Sequence, residues 1–88
     1  MCTGIWHTSA IAGTGKGPQG WFPVNQATVA FDHATHGAAE HALLLDFANY
    51  DLGTDARVAL EMDLASGKAL ILALQSAIEA AEASGVTG

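Results

Sequence analysis

Ala27-Thr-Val-Ala-Phe-Asp-His33 and, across a short connection, His41-Ala-Leu-Leu-Leu-Asp-Phe-Ala-Asn-Tyr50 are the stretches that decide the fold. In the first, Ala27, Val29, Phe31 and His33 share one face and Thr28, Ala30 and Asp32 the other. In the second, His41, Leu43, Leu45 and Phe47 share a face. A period of two is the signature of a strand, because successive side chains leave a pleated backbone on opposite sides. The connection, Ala34 to Glu40, contains Gly37 and is short enough to join antiparallel neighbours.

The pattern extends in both directions. Downstream, Asp51-Leu-Gly-Thr-Asp55 reads as a turn. Ala56, Val58, Leu60 and Met62 then alternate with Arg57, Ala59 and Glu61, which gives another strand. Upstream, Thr3 to Ile11 reads as a first strand. Gly13-Thr-Gly-Lys-Gly-Pro-Gln-Gly20 reads as a loop, since glycine and proline punctuate regular structure. Trp21-Phe22-Pro23-Val24 brings the chain back to apolar ground. From Asp63, or from Ser66 one turn later, the period changes to that of a helix ending near Ala83, before Gly85. Gly67, Leu70, Ile71, Leu74, Ile78 and Ala81 form one stripe, with Lys68, Gln75, Glu79 and Glu82 opposite and Leu72 among the polar positions. The expected architecture is α+β: a single domain over residues 1–88, built as a four-stranded antiparallel meander with one C-terminal helix packed on one face. The other sheet face, with Ala42, Leu44 and Trp6, is a candidate dimer surface.

Composition narrows the function. Half of the 88 residues are hydrophobic, which is generous for so short a chain. Small cores are often helped by a metal or by association, so a homodimer or higher homo-oligomer is expected. The net charge is −6, and the only basic residues, Lys16, Arg57 and Lys68, are scattered. A nucleic-acid footprint needs clustered positive charge, so no nucleic-acid partner is expected. No basic segment followed by a long apolar run opens the chain, and the strongest apolar window, Ala69 to Leu74, is short. The expectation is a cytoplasmic protein without a membrane partner. A lone cysteine, Cys2, permits no internal disulfide.

Three of the four histidines, His33, His36 and His41, crowd the central connection. Imidazole is the commonest metal-binding side chain, and three can close most of a coordination shell. Pairing the two central strands as a hairpin brings His33 and His41 together on one face, and His36 can reach over from the connection. His7, on the first strand and on the same face as Ile5, competes for a fourth place if that strand neighbours the hairpin, as does Cys2. Asp32 and Glu40 flank the histidines, each as a further ligand, an acceptor orienting an imidazole, or a general base, with Glu40 the expected catalytic residue. A divalent transition metal is expected, with zinc favoured, and a flanking carboxylate also suits manganese or iron. The spacing His-x2-His-x4-His matches neither the His-Glu-x-x-His helix of proteases nor the His-x-His pair of cupins. The plain alternative is a cross-strand pair, His33 with His41, at the rim of the core, with His36 exposed.

Two further motifs fail on detail. Met-Cys-Thr-Gly-Ile is similar to the opening of N-terminal-nucleophile amidohydrolases, but the match covers a few residues and those folds are far larger. Ala12-Gly-Thr-Gly-Lys-Gly17 lacks both the leading glycine and the Ser or Thr after lysine that a phosphate loop requires.

Met-Cys-Thr at the start, Lys16-Gly-Pro-Gln-Gly-Trp-Phe22, and Phe31-Asp-His-x-x-His-x-x-x-Glu-His41 together resemble a group of short, uncharacterised actinobacterial proteins of about this length. The resemblance covers nearly the whole chain. It implies a bacterial, cytoplasmic origin and carries no mechanism with it.

Two functions therefore compete. One is a small metal-dependent enzyme (a hydrolase, lyase or isomerase) acting on a small-molecule ligand, with Trp6, Trp21, Phe22 and Phe31 lining an apolar pocket. The other is a non-catalytic oligomeric binding or accessory module in which the histidines are structural.

Overall fold

A computed structural model describes residues 4–34 and 40–86 of the chain. Four strands, β1 (Ile5–Gly17), β2 (Gly20–His33), β3 (His41–Ala48) and β4 (Arg57–Met62), precede one helix, α1 (Leu64–Ala83). A single 3-10 turn, Tyr50–Leu52, joins β3 to β4. The strands form one antiparallel sheet in the order β1-β2-β3-β4. This is the meander with a C-terminal helix that the alternation predicts.

The register confirms the faces. His33 lies opposite His41, Phe31 opposite Leu43 and Val29 opposite Leu45. Leu43 and Leu45 in turn face Met62 and Leu60. One side of the sheet, hereafter the histidine face, is thus apolar across the middle of β2, β3 and β4 and ends in two imidazoles. The opposite face carries Trp6, Thr28, Ala30, Ala42, Leu44, Asp46 and Arg57. Burial is modest throughout. Among the described residues, Val24, Ala30, Ala42, Leu45 and Ala48 are the buried apolar ones.

The glycine-rich segment departs from expectation. It is not a loop: β1 continues through it to Gly17, and only Pro18 and Gln19 turn the chain. The register from Gly13 opposite Val24 to Gly17 opposite Gly20 is unbroken, after a shift between Ala10 and Gly13. Two of the segment's glycines, Gly15 and Gly17, are there for proximity, not for flexibility. A Cβ on Gly15 would come within 3.0 Å of Val24 Cγ2, and one on Gly17 within 3.1 Å of Phe22 Cε1. Bare backbone lets Phe22 and Val24 lie against β1, and the shift adds the twist that bulges supply. As a result the tip of the β1–β2 hairpin reaches the turn before β4, where Gly17, Phe22, Leu52 and Asp55 surround a small cavity of about 190 Å³.

Asn49 locks that end. Its side-chain Nδ2 donates to the Pro23 carbonyl at 3.1 Å and its backbone N–H to Ala56 at 3.0 Å. The residue is 9% exposed, and its Oδ1 has no protein partner.

Asp63 settles the start of α1. Its Oδ1 accepts from the Ser66 N–H at 2.7 Å, so the helix begins at Leu64 and not a turn later. Gly67 is the one buried residue of the helix, and a methyl there would overlap Leu43 Cδ1 on the histidine face. Beyond this contact the helix leaves the sheet. Leu70, Ile71, Leu74 and Ile78 are between 38% and 63% exposed. By length and composition α1 is also apolar enough to cross a bilayer, with a mean hydropathy of 1.2, a property the six-residue window Ala69 to Leu74 conceals.

Candidate metal centre

The hairpin β2–β3 builds the site. Because His33 and His41 are direct cross-strand partners, their rings stack, with centroids 4.6 Å apart and planes at 28°. Phe31, the diagonal neighbour, stacks on the other side of His41 at 5.6 Å and 21°. This orders His41 between two rings while His33 remains exposed. The Ala34 N–H donates to the Glu40 carbonyl at 3.1 Å, continuing the pairing one step past the strands. That bond holds Glu40 beside the two imidazoles.

One ligand atom from each of His33, Glu40 and His41 lies within 4.8 Å of the others. Bonds of about 2.0–2.1 Å to a tetrahedral zinc would hold donors about 3.4 Å apart. The remaining approach is a matter of side-chain rotation. His33 and Glu40 are exposed, and changes of rotamer within the cluster would bring the set to the size of a small divalent ion. Two imidazoles and a carboxylate are borderline ligands that suit zinc, and also iron or manganese.

The other candidates are placed differently. His7 is on the histidine face opposite Val29, four residues along β2 from His33. That is about 13 Å along the strand, outside the cluster. Asp32 points to the opposite face, and its Oδ1 accepts the His33 backbone N–H at 2.8 Å. His36 and Cys2 lie outside the described residues. The four aromatic residues expected around one pocket are dispersed. Trp21 and Phe22 line the small cavity at the hairpin tip, Trp6 lines a groove on the opposite face, and Phe31 is beside His41.

That groove is the feature the sequence reading missed. It encloses about 870 Å³ between Trp6, Thr28, Ala30, Leu44, Asp46, Tyr50 and Arg57, among others. Asp46 organises its polar end: Oδ1 accepts from Arg57 Nε and Oδ2 from the Tyr50 hydroxyl, both at 3.0 Å. The Tyr50 pKa is raised, first by this hydrogen bond and then by burial. The Arg57 pKa is raised by the same carboxylate. A signal was present in the sequence. Asp46 and Arg57 occupy the polar positions of two alternating strands, but only the register shows that they meet.

Residues 1–87 match a family described as a family of unknown function, DUF6295. The chain belongs to this family. No curated protein and no solved structure matches it. Membership in DUF6295 therefore leaves the chemistry of the site to be argued from its own residues.

Proposed function

We propose that this DUF6295 protein is a small metal-binding protein whose centre lies at the β2–β3 turn, with His33, Glu40 and His41 as ligands and zinc as the favoured ion. The convergence of three donor atoms within 4.8 Å, on a hairpin whose register fixes two of them, carries the reading. His36, in the connection between them, and Cys2 are the remaining candidate ligands.

In the enzymatic form of the proposal, the three ligands leave a coordination position open. The metal polarises a carbonyl or activates water, and Glu40 serves as ligand or general base. Hydrolase, lyase and isomerase chemistry on a small molecule all follow from such a centre. A second reading has an observation in its favour. Among the described residues, the two cavities described above are lined by residues other than His33, Glu40 and His41. This favours a metal that clips the β2–β3 turn without catalysis.

Elemental analysis of protein purified without added metal tests the shared claim. The expected result is close to one zinc per chain, lost in His33→Ala and in His41→Ala. A metal content far below one per chain, unchanged by reconstitution, would sink it. Hydrolysis of an activated ester by the zinc-loaded protein, abolished by chelator and by Glu40→Gln, separates the enzymatic form from the structural one.

A further inference from the structure

The chain exposes more surface than a folded protein of its mass should. Its accessible surface is 6464 Å² for 9.0 kDa. Folded monomers of that mass expose about 4,900 Å². The excess, about 1,600 Å², is roughly twice what one partner contributes to a standard protein–protein interface.

Two apolar surfaces are among what stays exposed. One is the histidine face, where Val29 is 36% and Leu60 45% exposed although they flank the buried Leu45 in adjacent strands. The other is the helix stripe, with Leu74 and Ile78 both 55% exposed. Within one chain they cannot meet. The Asp63 cap leaves no linker between β4 and α1, and Gly67 pins the first turn on Leu43. A straight 20-residue helix, about 30 Å long, then carries the stripe away from the sheet.

We propose that the histidine face of each chain is covered by the helix of a second copy, in a two-fold dimer where each helix stripe lies on the other chain's sheet. One chain presents both the stripe and the face that accepts it, so two copies close on each other with both of these surfaces used once per chain. A bilayer fits less well. Lys68, Glu79 and Glu82 lie on the helix, and a helix in lipid would leave the sheet face bare. Helix-to-helix pairing would leave it bare as well. The dimer does not depend on the metal centre.

Light scattering on the full chain, in chelator to keep metal out of the question, tests the proposal. The expected mass is that of two chains. Leu74→Glu with Ile78→Glu on the stripe, and separately Val29→Glu on the sheet, are each expected to give the single-chain mass with the circular dichroism of the folded protein. Ser76→Glu, at an exposed position across the helix from the stripe, is expected to keep the two-chain mass. A single-chain mass for the unaltered protein overturns the proposal. So does a two-chain mass that survives Val29→Glu, which would mean the helices pair with each other. Cosedimentation of the unaltered protein with neutral phosphatidylcholine vesicles also overturns it, since lipid would then be the occupant.

Discussion

His41 is held by Phe31 on one side and His33 on the other, so its ring has a structural part to play besides offering a nitrogen. The two parts separate by substitution. His41→Phe keeps a ring in the stack and removes the donor. His41→Ala removes both. Metal binding measured by calorimetry should vanish in each, whereas the metal-free stability should stay near that of the parent in His41→Phe and fall by about 0.5–1 kcal/mol in His41→Ala. Equal metal affinity in His41→Phe would remove His41 from the ligand set. Binding should also weaken in acid, because a protonated imidazole has no lone pair to give. A second residue-scale prediction concerns Asn49. Its Nδ2 is the donor to the Pro23 carbonyl, in a buried position. Asn49→Asp replaces that donor with an oxygen facing a carbonyl oxygen. Urea unfolding should show a loss of about 1–3 kcal/mol, and a loss no larger than that of Asn49→Ala would show that the buried charge is solvated.

At the scale of elements, α1 is started by one cap and seated by one glycine. Hydrogen bonding from Ser66, through its side chain first and its backbone second, holds the Asp63 carboxyl below its usual 3.8. A group whose pKa is lowered in the folded state stabilises that state while ionised. Its contribution is present above the unfolded value and lost as pH falls through the depressed folded one. Helix signal in circular dichroism should therefore hold down to about pH 3.8 and decline below it, with Asp63→Asn removing the dependence on this carboxyl while preserving a cap. Gly67 sets a different conflict. Alanine gains about 1 kcal/mol over glycine in a helix interior, but here its methyl would strike Leu43 Cδ1. Gly67→Ala should fail to deliver that gain in the parent protein and deliver it in a Leu43→Ala background. A double-mutant cycle with no coupling between the two positions would show that the helix does not rest on Leu43. The strands themselves were legible, since the alternation from Ala27 to Met62 gives the faces and the pairing of His33 with His41. The β1–β2 hairpin was not. Glycines read as chain-breakers when nothing tells the reader that Phe22 and Val24 lie across the strand from them, and that information is tertiary.

At the scale of the whole molecule, the apolar stripe from Gly67 to Ala81 was legible as a stripe, but where it points was not. Periodicity says that one side of a helix wants cover, without saying which surface provides it. The cover expected was the chain's own sheet, and the structure supplies it at Gly67 alone among the described residues of the helix. The metal cluster shows the same limit: strand alternation places His33 and His41 on one face, but only the Ala34–Glu40 backbone bond brings in Glu40. An exposed stripe and an exposed sheet face have a thermodynamic consequence when a second copy covers them. Folding and association then form one equilibrium, and the folded state gains population with total protein concentration. The melting temperature of the unaltered protein, measured in chelator, should rise across a hundredfold increase in concentration. In the Leu74→Glu, Ile78→Glu variant it should be lower and independent of concentration, because each chain then stands on the few buried residues of its own sheet. The comparison between the two concentration series isolates the partner's contribution, since both residues are more than half exposed in the single chain and lose little within it when changed. A melting temperature of the unaltered protein that ignores concentration would mean that 6464 Å² of exposed surface is tolerated by one chain alone.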